Sequence, residues 1–341
     1  MYLKNAWYCV SWDKDLKDQP LGIKILGQKL LIFRKQDGSV AALDAVCPHR
    51  YAPLHKGRLE NDILQCPYHG LEFNSEGRCT LNPHGDVIPP NANLRSYPAV
   101  VQNLAVWVWM GDPDKADPSL LLEEQDWTSS DKFARGYGYT HVRGNYQLAI
   151  DNLLDLTHGP YVHVGGFGQE PRKMGLKYPM NHEFFVEDRK VHSRYYRENW
   201  RTNLFFRPFF PHDYCDQTTF MCLHQPSNLT LDITVLEVGA ENGLPSEFIA
   251  PSFHFITPET ETTAHYFYAA GHNKLIDDKT VTAKMMEGVR VAFEDEDEVM
   301  IRDVQEAMES TDLLSLKPAI LESDIAGVTA RKMLAKMIAE E

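Results

Sequence analysis

The chain lacks any apolar run able to cross a bilayer: its longest, such as Leu104 to Met110, stops far short of the roughly 20 residues a spanning helix needs. Met1-Tyr2-Leu3-Lys4-Asn5 offers neither an apolar h-region nor a cleavage site, so no secretory leader and a cytoplasmic address are expected. There is no basic excess. Lys and Arg number 34 against 48 Asp and Glu, and a net charge of −14 argues against nucleic acid or an anionic membrane as partner. Cysteine is scarce, with six residues scattered at Cys9, Cys47, Cys66, Cys79, Cys215 and Cys222, which in a reducing compartment calls for an explanation other than disulfides. No internal repeat, low-complexity tract or dinucleotide-binding glycine loop is present. A redox protein without a nicotinamide site must take its electrons from another protein.

What is present is the balance of a globular protein, 43% hydrophobic and 24% charged over 341 residues, with room for two domains. The first part reads as short strands between Gly, Pro and Asp turns: Leu30 to Arg34, Val40 to Leu43, Arg95 to Val101, Leu104 to Met110. Gly111-Asp112-Pro113 and Asp117-Pro118 mark a linker, dividing an all-β domain over 1–115 from an α+β domain over 116–341. In the second domain a helix is predicted over about Gln147 to Thr157, strands over roughly 180–270, and long amphipathic helices over about 280–310 and Ile325 to Ala339.

Two short loops carry the strongest chemical signal. Cys47-Pro48-His49 is followed, after sixteen residues, by Cys66-Pro67-Tyr68-His69-Gly70. Each loop supplies one Cys and one His, so two thiolates can hold one iron of a [2Fe–2S] cluster and two imidazoles the other. The alternative is a structural zinc ion, whose cysteines more usually come paired in one knuckle.

A second set of donors lies in the other domain. On a helix, Asp151, Asp155 and His158 share a stripe, and Gly159-Pro160 would end that helix and let His163 return toward His158. Two imidazoles need a carboxylate to complete a facial triad for a mononuclear iron. The stripe Met286, Val289, Phe293, Met300, Val304, Met308 passes through Asp297, a costly place for a carboxylate unless a metal is bound. Glu294, Asp295 and Glu298 are expected to face solvent, with Glu298 paired to Arg302. The alternative is a solvated acidic run.

At the two Cys/His loops the sequence resembles the Rieske proteins. Ala52, Tyr68 and Leu71 stand where the respiratory branch has its extra cysteines and serine, which implies a lower potential. The run Asn152-x₂-Asp155-x₂-His158-x₄-His163, with Glu296-Asp297 and Gln305 downstream, extends the resemblance to Rieske oxygenases, and in particular to aromatic O-demethylases and sulfonate monooxygenases. Lys4-Asn5-Ala6-Trp7-Tyr8 and Thr257-Pro258-Glu259-Thr260-Glu261 carry it across nearly the whole chain. The resemblance implies a helix-grip (START-like) catalytic domain with a curved antiparallel sheet, and Fe(II) held by His158, His163 and Asp297. It further implies that Asn152 lies close to the iron, and that Asp155 bridges to His69 of a neighbouring subunit in a head-to-tail homotrimer. His254 matches a position that contacts substrate in one member of the family; a hydrogen-bonded core histidine is the other reading. Phe205 to Phe210, Trp200 and Arg201 are weaker candidates for the pocket.

The function expected is that of an oxygenase component. It would hydroxylate or O-demethylate a small aromatic substrate with O₂, using electrons from a separate NAD(P)H-dependent reductase, directly or through a ferredoxin. A cis-dihydroxylating dioxygenase and a non-catalytic Rieske carrier fused to a ligand-binding domain are the alternatives.

Overall fold

The apolar runs of the first hundred residues become short strands. They are β1 (Trp7–Trp12), β2 (Leu21–Ile25), β3 (Gln28–Arg34) and β4 (Val40–Asp44), then β5 (Arg58–Glu60), β6 (Ile63–Gln65), β7 (Glu72–Phe73) and β8 (Cys79–Leu81), and last β9 (Ser96–Tyr97), β10 (Ala99–Gln102) and β11 (Ala105–Trp109). In this computed structural model, residues 1–164, 181–241, 243 and 247–341 are described. The chain separates into two compact units, one of residues 1–124 with 257–260 and 341, the other of 125–256 with 261–340.

The strands of the first unit form three antiparallel sheets, in the orders β1-β11-β10, β2-β3-β4-β9 and β5-β6-β7-β8. Arg95 to Val101, expected as one strand, is two. Pro98 has no N–H to give a ladder, and there the chain passes from pairing with β4 to pairing with β11. Leu31, Phe33, Leu43, Leu54, Leu64 and Phe73 are wholly buried in one core, and Cys47 and Cys66 belong to it.

In the second unit β12 (Ala134–Val142) leads into α1 (Tyr146–Leu154) and α2 (Gly159–Val162). Strands β13 (Asn181–Glu187), β14 (Lys190–Arg201), β15 (Tyr214–His224), β16 (Asn228–Leu236), β17 (Phe248–Thr260) and β18 (Thr263–His272) follow. With β12 they make a seven-stranded antiparallel sheet ordered β12-β18-β17-β16-β15-β14-β13. A long helix packs on β12, built of α3 (Lys279–Arg290), a π-helical stretch Val291–Asp297 and α4 (Glu298–Met308). The last helix, α5 (Ile325–Glu340), lies on α1 and β14. This is the α+β class expected, a sheet with a long helix laid on it. Among the described residues no helix is long and apolar enough to cross a membrane.

Two local expectations need correction. The first helix stops at Leu154. Asp155 (φ −109°, ψ 95°) leaves helical geometry and caps a new 3₁₀ turn, Leu156–His158, by accepting the Thr157 N–H. Asp151, Asp155 and His158 therefore do not share one helical stripe. Pro160 breaks nothing, since it sits in the first turn of α2, where its missing N–H is not needed.

The second correction concerns the long helix. A π turn holds one residue more than an α turn, so each buried position after Ala292 falls one place later than a straight helix predicts. Asp297, Glu298, Ile301 and Gln305 face inward, while Met300 and Val304 are 48% and 37% exposed. Glu298 accordingly turns inward and is held in a two-pronged grip by Arg143 (2.8 Å to each carboxylate oxygen), and Arg302 pairs with Asp303 instead. Burial opposes it, yet the hydrogen bonds and charge of Arg143 keep the Glu298 carboxyl below its ordinary range.

The seam between α1 and α5 is closed by Arg331, which is buried and donates to Asp151 Oδ2 at 2.8 and 2.6 Å and to Gln147 Oε1 at 3.2 Å. Arg331→Ala leaves the Asp151 carboxylate in that seam without its cation. Urea unfolding is expected to show a loss of about 3 kcal/mol, with Arg331→Lys recovering part of it.

Candidate metal centre

The two Cys/His loops of the first unit repeat one backbone pattern. Cys47 N–H donates to Ala52 O and Tyr51 N–H to Cys47 O, both at 2.9 Å; Cys66 N–H donates to Leu71 O at 2.8 Å and Gly70 N–H to Cys66 O at 3.1 Å. The fifth residue of each loop is left-handed, Tyr51 at φ +56° and Gly70 at φ +72°. Glycine takes that conformation without strain, and tyrosine accepts it at a cost. The loops thus present their donors as a pair: both thiols buried in the core, and the His49 and His69 rings outside, with centroids 4.5 Å apart.

Burial, with the Cys66 thiol alongside, pushes Cys47 up to about 11 against the pull of the His49 and Arg50 backbone N–H groups. His69 is held below the ordinary imidazole range by desolvation and then by His49, Arg50 and His84, which favours its neutral, ligating form. A single ion with bonds of about 2.0–2.3 Å would draw its donors close together. Among the described residues such a convergence of three or more donors occurs only at His158, His163 and Asp297. The four loop donors are spread more widely, which suits two irons and not one zinc.

That convergence lies in the second unit. The 3₁₀ turn and α2 bring His158 and His163 together with their rings nearly perpendicular, 74° apart, and their Nε2 atoms 3.2 Å from each other. Asp297 Oδ1, from the π stretch, lies 3.5 Å from the first and 3.4 Å from the second. Each imidazole is oriented from behind. His158 Nδ1 donates to Asp155 O at 2.6 Å, and His163 Nδ1 donates to the Glu296 carboxylate at 2.7 Å. With the protons on Nδ1, both Nε2 lone pairs point to the common centre.

Asp297 is 3% exposed, and among the described residues no Lys or Arg is one of the groups that set its charge. Burial pushes its carboxyl up, while His158, His163 and the Asn152 amide (Nδ2 to Oδ1, 3.0 Å) pull it the other way. Three donors at mutual distances of 3.2–3.5 Å, with a buried carboxylate lacking a fixed cation, fit a mononuclear metal ion bound through a 2-His-1-carboxylate set.

Asn152, His158, His163 and Asp297 line one cavity of about 750 Å³, part of it open to solvent. Leu153, Phe206, Met221, Leu231, Ile233 and Phe293 supply its hydrocarbon walls; Arg197, Asn203, Gln217, Thr219 and His254 supply polar groups. His254 is buried, with Ser252 Oγ at 2.9 Å from Nε2 and Tyr266 OH at 2.7 Å from Nδ1. Phe206, Phe209 and Phe210 pack with Phe248 and Met285 in the core, and of the six-residue run only Phe206 reaches this cavity. Trp200 and Arg201 are not in its lining. Asp155 is not there either: with Asp151, Ile320 and Arg331 it borders a separate groove.

Sequence reasoning did not give Glu296 a part. Nothing in its place in the sequence sets it apart from the acidic residues around it; its part is shown by its carboxylate lying 2.7 Å from His163 Nδ1. Arg197 and Gln217 are also new, since nothing in a polar strand residue announces which face it takes.

Residues 6–98 match the Rieske [2Fe-2S] domain and residues 142–340 the vanillate O-demethylase oxygenase C-terminal domain. The iron–sulfur subunit of the toluene-4-sulfonate monooxygenase system of Comamonas testosteroni is 35% identical over 88% of this chain and 87% of its own length. The dicamba O-demethylase oxygenase component of Stenotrophomonas maltophilia is 33% identical over 98% of each chain. The crystal structure of dicamba monooxygenase bound to 3,6-dichlorosalicylic acid aligns with a TM-score of 0.89 at 31% identity, over 99% of this chain and 98% of that one. The same enzyme with non-haem iron and dicamba aligns at 0.85.

Asp297→Asn removes the buried charge and a metal donor together. Iron analysis is expected to find the variant empty of mononuclear iron. Its unfolding at pH 7 with both proteins stripped of metal is expected to be no easier than the wild type's, because the wild-type carboxylate is stabilising only when a cation faces it.

Proposed function

The chain belongs to the Rieske oxygenases with a vanillate O-demethylase-type C-terminal domain, oxygenase components of multicomponent monooxygenases, and on that premise we propose that it inserts one oxygen atom into a small aromatic substrate in the cytoplasm, fed by an NAD(P)H-dependent reductase. The observation that carries the reading is the convergence of His158 Nε2, His163 Nε2 and Asp297 Oδ1 beneath a largely apolar cavity.

Cys47, His49, Cys66 and His69 would hold the [2Fe–2S] cluster, in a domain taken as 1–115, and His158, His163 and Asp297 the mononuclear Fe(II), in a domain taken as 116–341. When bound, the cluster supplies electrons one at a time and the mononuclear iron activates O₂ for insertion into a C–H bond. The protein's own part is positional. The Asp155 carbonyl and the Glu296 carboxylate fix the two imidazoles, and the Asn152 amide steadies Asp297 Oδ1. Leu153, Phe206, Leu231 and Phe293 hold an aromatic ring and exclude water around it. If the carbon attacked is a methoxy group, the hemiacetal formed falls apart to a phenol and formaldehyde.

Asp155 has a second part in this reading. Its carboxylate borders the groove on the far side of α1 from the cavity, which is where His69 of the partner subunit would dock in a head-to-tail homotrimer.

Supplied with a generic Rieske reductase, NADH and a panel of methoxy- and methylarenes, the protein is expected to consume O₂ in a substrate-dependent way and to place one ¹⁸O atom from ¹⁸O₂ in product. Two labelled atoms in a cis-diol would mean dioxygenation instead. Cys66→Ser should abolish the cluster's EPR signal on reduction while leaving mononuclear iron in place. Asp155→Asn, which keeps a cap for Thr157, should retain both metals yet lose turnover by about ten- to a hundredfold, the scale on which groups hydrogen-bonded to metal ligands act. Unaltered turnover in that variant, or a species other than a trimer in light scattering, would remove the inter-subunit part of the reading.

A further inference from the structure

Resting on the oxygenase reading above, we propose that Tyr195 and Ser193, backed by His182, are positioning residues: they lock the main chain on both sides of Asp155 and so aim the His158 imidazole at the mononuclear iron. None of the three lines the cavity, so their effect on that iron travels through the backbone.

The last carbonyls of a helix have no partner within it, and one donor or a water is a sufficient remedy. At the end of α1, Leu154 O has two side-chain donors from β14, Ser193 Oγ at 3.0 Å and Tyr195 OH at 3.3 Å. Both residues are buried, and they stand two apart on one face of that strand. His182 stands behind them, on the neighbouring strand β13 and in register with Tyr195. Its ring stacks on the tyrosine, with centroids 4.4 Å and planes 15° apart, and its Nε2 lies 2.9 Å from Ser193 Oγ.

The hydrogens of this set can be placed. Ser193 Oγ gives its hydrogen to Leu154 O, so it accepts from His182, whose Nε2 carries the hydrogen. Desolvation holds that imidazole below its ordinary range against the pull of the Asp155 and Glu322 carboxylates, which favours a neutral ring with its one hydrogen on Nε2. Every hydrogen is thus aimed at the Leu154 carbonyl, directly or through Ser193. Such a set does not pass a proton onward; it holds the chain.

What it holds decides its role. Two peptide units flank the Asp155 side chain. In the first, Leu154 O takes the two hydroxyls, and Asp155 N–H donates to Asp151 O at 3.0 Å. In the second, the Leu156 N–H is hydrogen-bonded to the Tyr195 hydroxyl, and Asp155 O accepts from His158 Nδ1 at 2.6 Å. The Tyr195 hydroxyl therefore touches both units, and the far end of the second is the group that orients a metal donor. Burial, and then the Asp155 charge, pushes Tyr195 up to about 12, so its hydrogen stays in place in neutral buffer. Asp155 itself is outside helical geometry, where no regular ladder fixes its carbonyl, and the clamp supplies that constraint.

The test is EPR of the iron-loaded protein with nitric oxide as probe of the mononuclear Fe(II), together with the rate at which that iron is lost to ferrozine; neither needs a substrate or a reductase. The wild type is expected to give one nitric oxide species. Tyr195→Phe keeps the ring on His182 and deletes only the hydroxyl. It should broaden or split that signal and release iron about three- to tenfold faster, below the ten- to hundredfold scale of a group bonded directly to a metal ligand. Ser193→Ala should act in the same direction and less strongly, and Ser193→Thr should return both readings to those of the wild type. Wild-type signal and wild-type iron release in both Tyr195→Phe and Ser193→Ala overturn the proposal even if their melting temperatures fall, because the network then only supports the fold. Failure of Ser193→Thr to restore what Ser193→Ala loses overturns it as well, and the Ser193 pair decides alone if Tyr195→Phe does not fold. Those results leave the oxygenase reading standing, whereas a wild type that takes up no mononuclear iron sinks that reading and this inference with it.

Discussion

A buried carboxylate facing two imidazole nitrogens, with no arginine or lysine paired to it among the described residues, is the constraint around which the second unit is arranged. An ionised group in such a place costs several kcal/mol unless a cation sits against it. The surrounding fold relieves that cost only in part, through the Asn152 amide and the two imidazoles. It spends its hydrogen bonds on direction: Asp155 O and Glu296 turn the imidazoles, Asn152 holds the carboxylate, and the lone pairs are left facing one another. A site arranged in this way is uncomfortable without metal and complete with it, which is how a protein sets aside folding stability for binding.

The first unit solves the complementary problem. Its two thiols are sunk in the core and its two imidazoles are at the surface, and twin loops with the same hydrogen bonds set all four. Burial that raises a thiol's pKa is a penalty for a free cysteine and an advantage for one that must surrender its proton only to a metal. With His49 exposed and His69 half-buried, one edge of the donor set is within reach of another protein. Both units therefore bury their anionic donors. They differ in where the neutral donors face, outward in the first and into a cavity in the second.

Much of this was legible in the sequence because the ligands come in short local runs. Cys47-Pro48-His49 and Cys66-Pro67-Tyr68-His69 needed only spacing and donor chemistry, and the β-rich first half followed from turn residues between apolar runs. Asp297 was found for a reason only partly right. Helical periodicity put it on the buried face, but the same periodicity buried Met300 and Val304, which are exposed, and sent the buried Glu298 into solvent. Periodicity assumes 3.6 residues per turn throughout, and no residue type announces a π turn. The break after Leu154 was hidden for a similar reason. Asp155 can continue a helix or cap the next turn with equal ease, and Gly159-Pro160 looked the stronger stop although it begins a helix. Arg197 was out of reach because a lone strand does not show which of its faces will meet a cavity.

That break at Asp155 has a consequence for how the two surfaces of α1 divide their work. On one side of the helix, Asn152 meets Asp297 in the cavity; on the other, Asp151 meets Arg331, and α5 comes so near that a Cβ on Gly327 would lie 2.9 Å from Asp151 Oδ1. Asp155 serves both sides with different atoms. Its main-chain carbonyl orients His158, while its carboxylate caps Thr157 and borders the groove. The carbonyl is present whatever residue stands at 155, so the ligand's direction does not depend on the side chain. The carboxylate is then available for whatever approaches the groove. One departure from helical geometry thus lets the main chain at 155 orient His158 while the side chain stands at the groove.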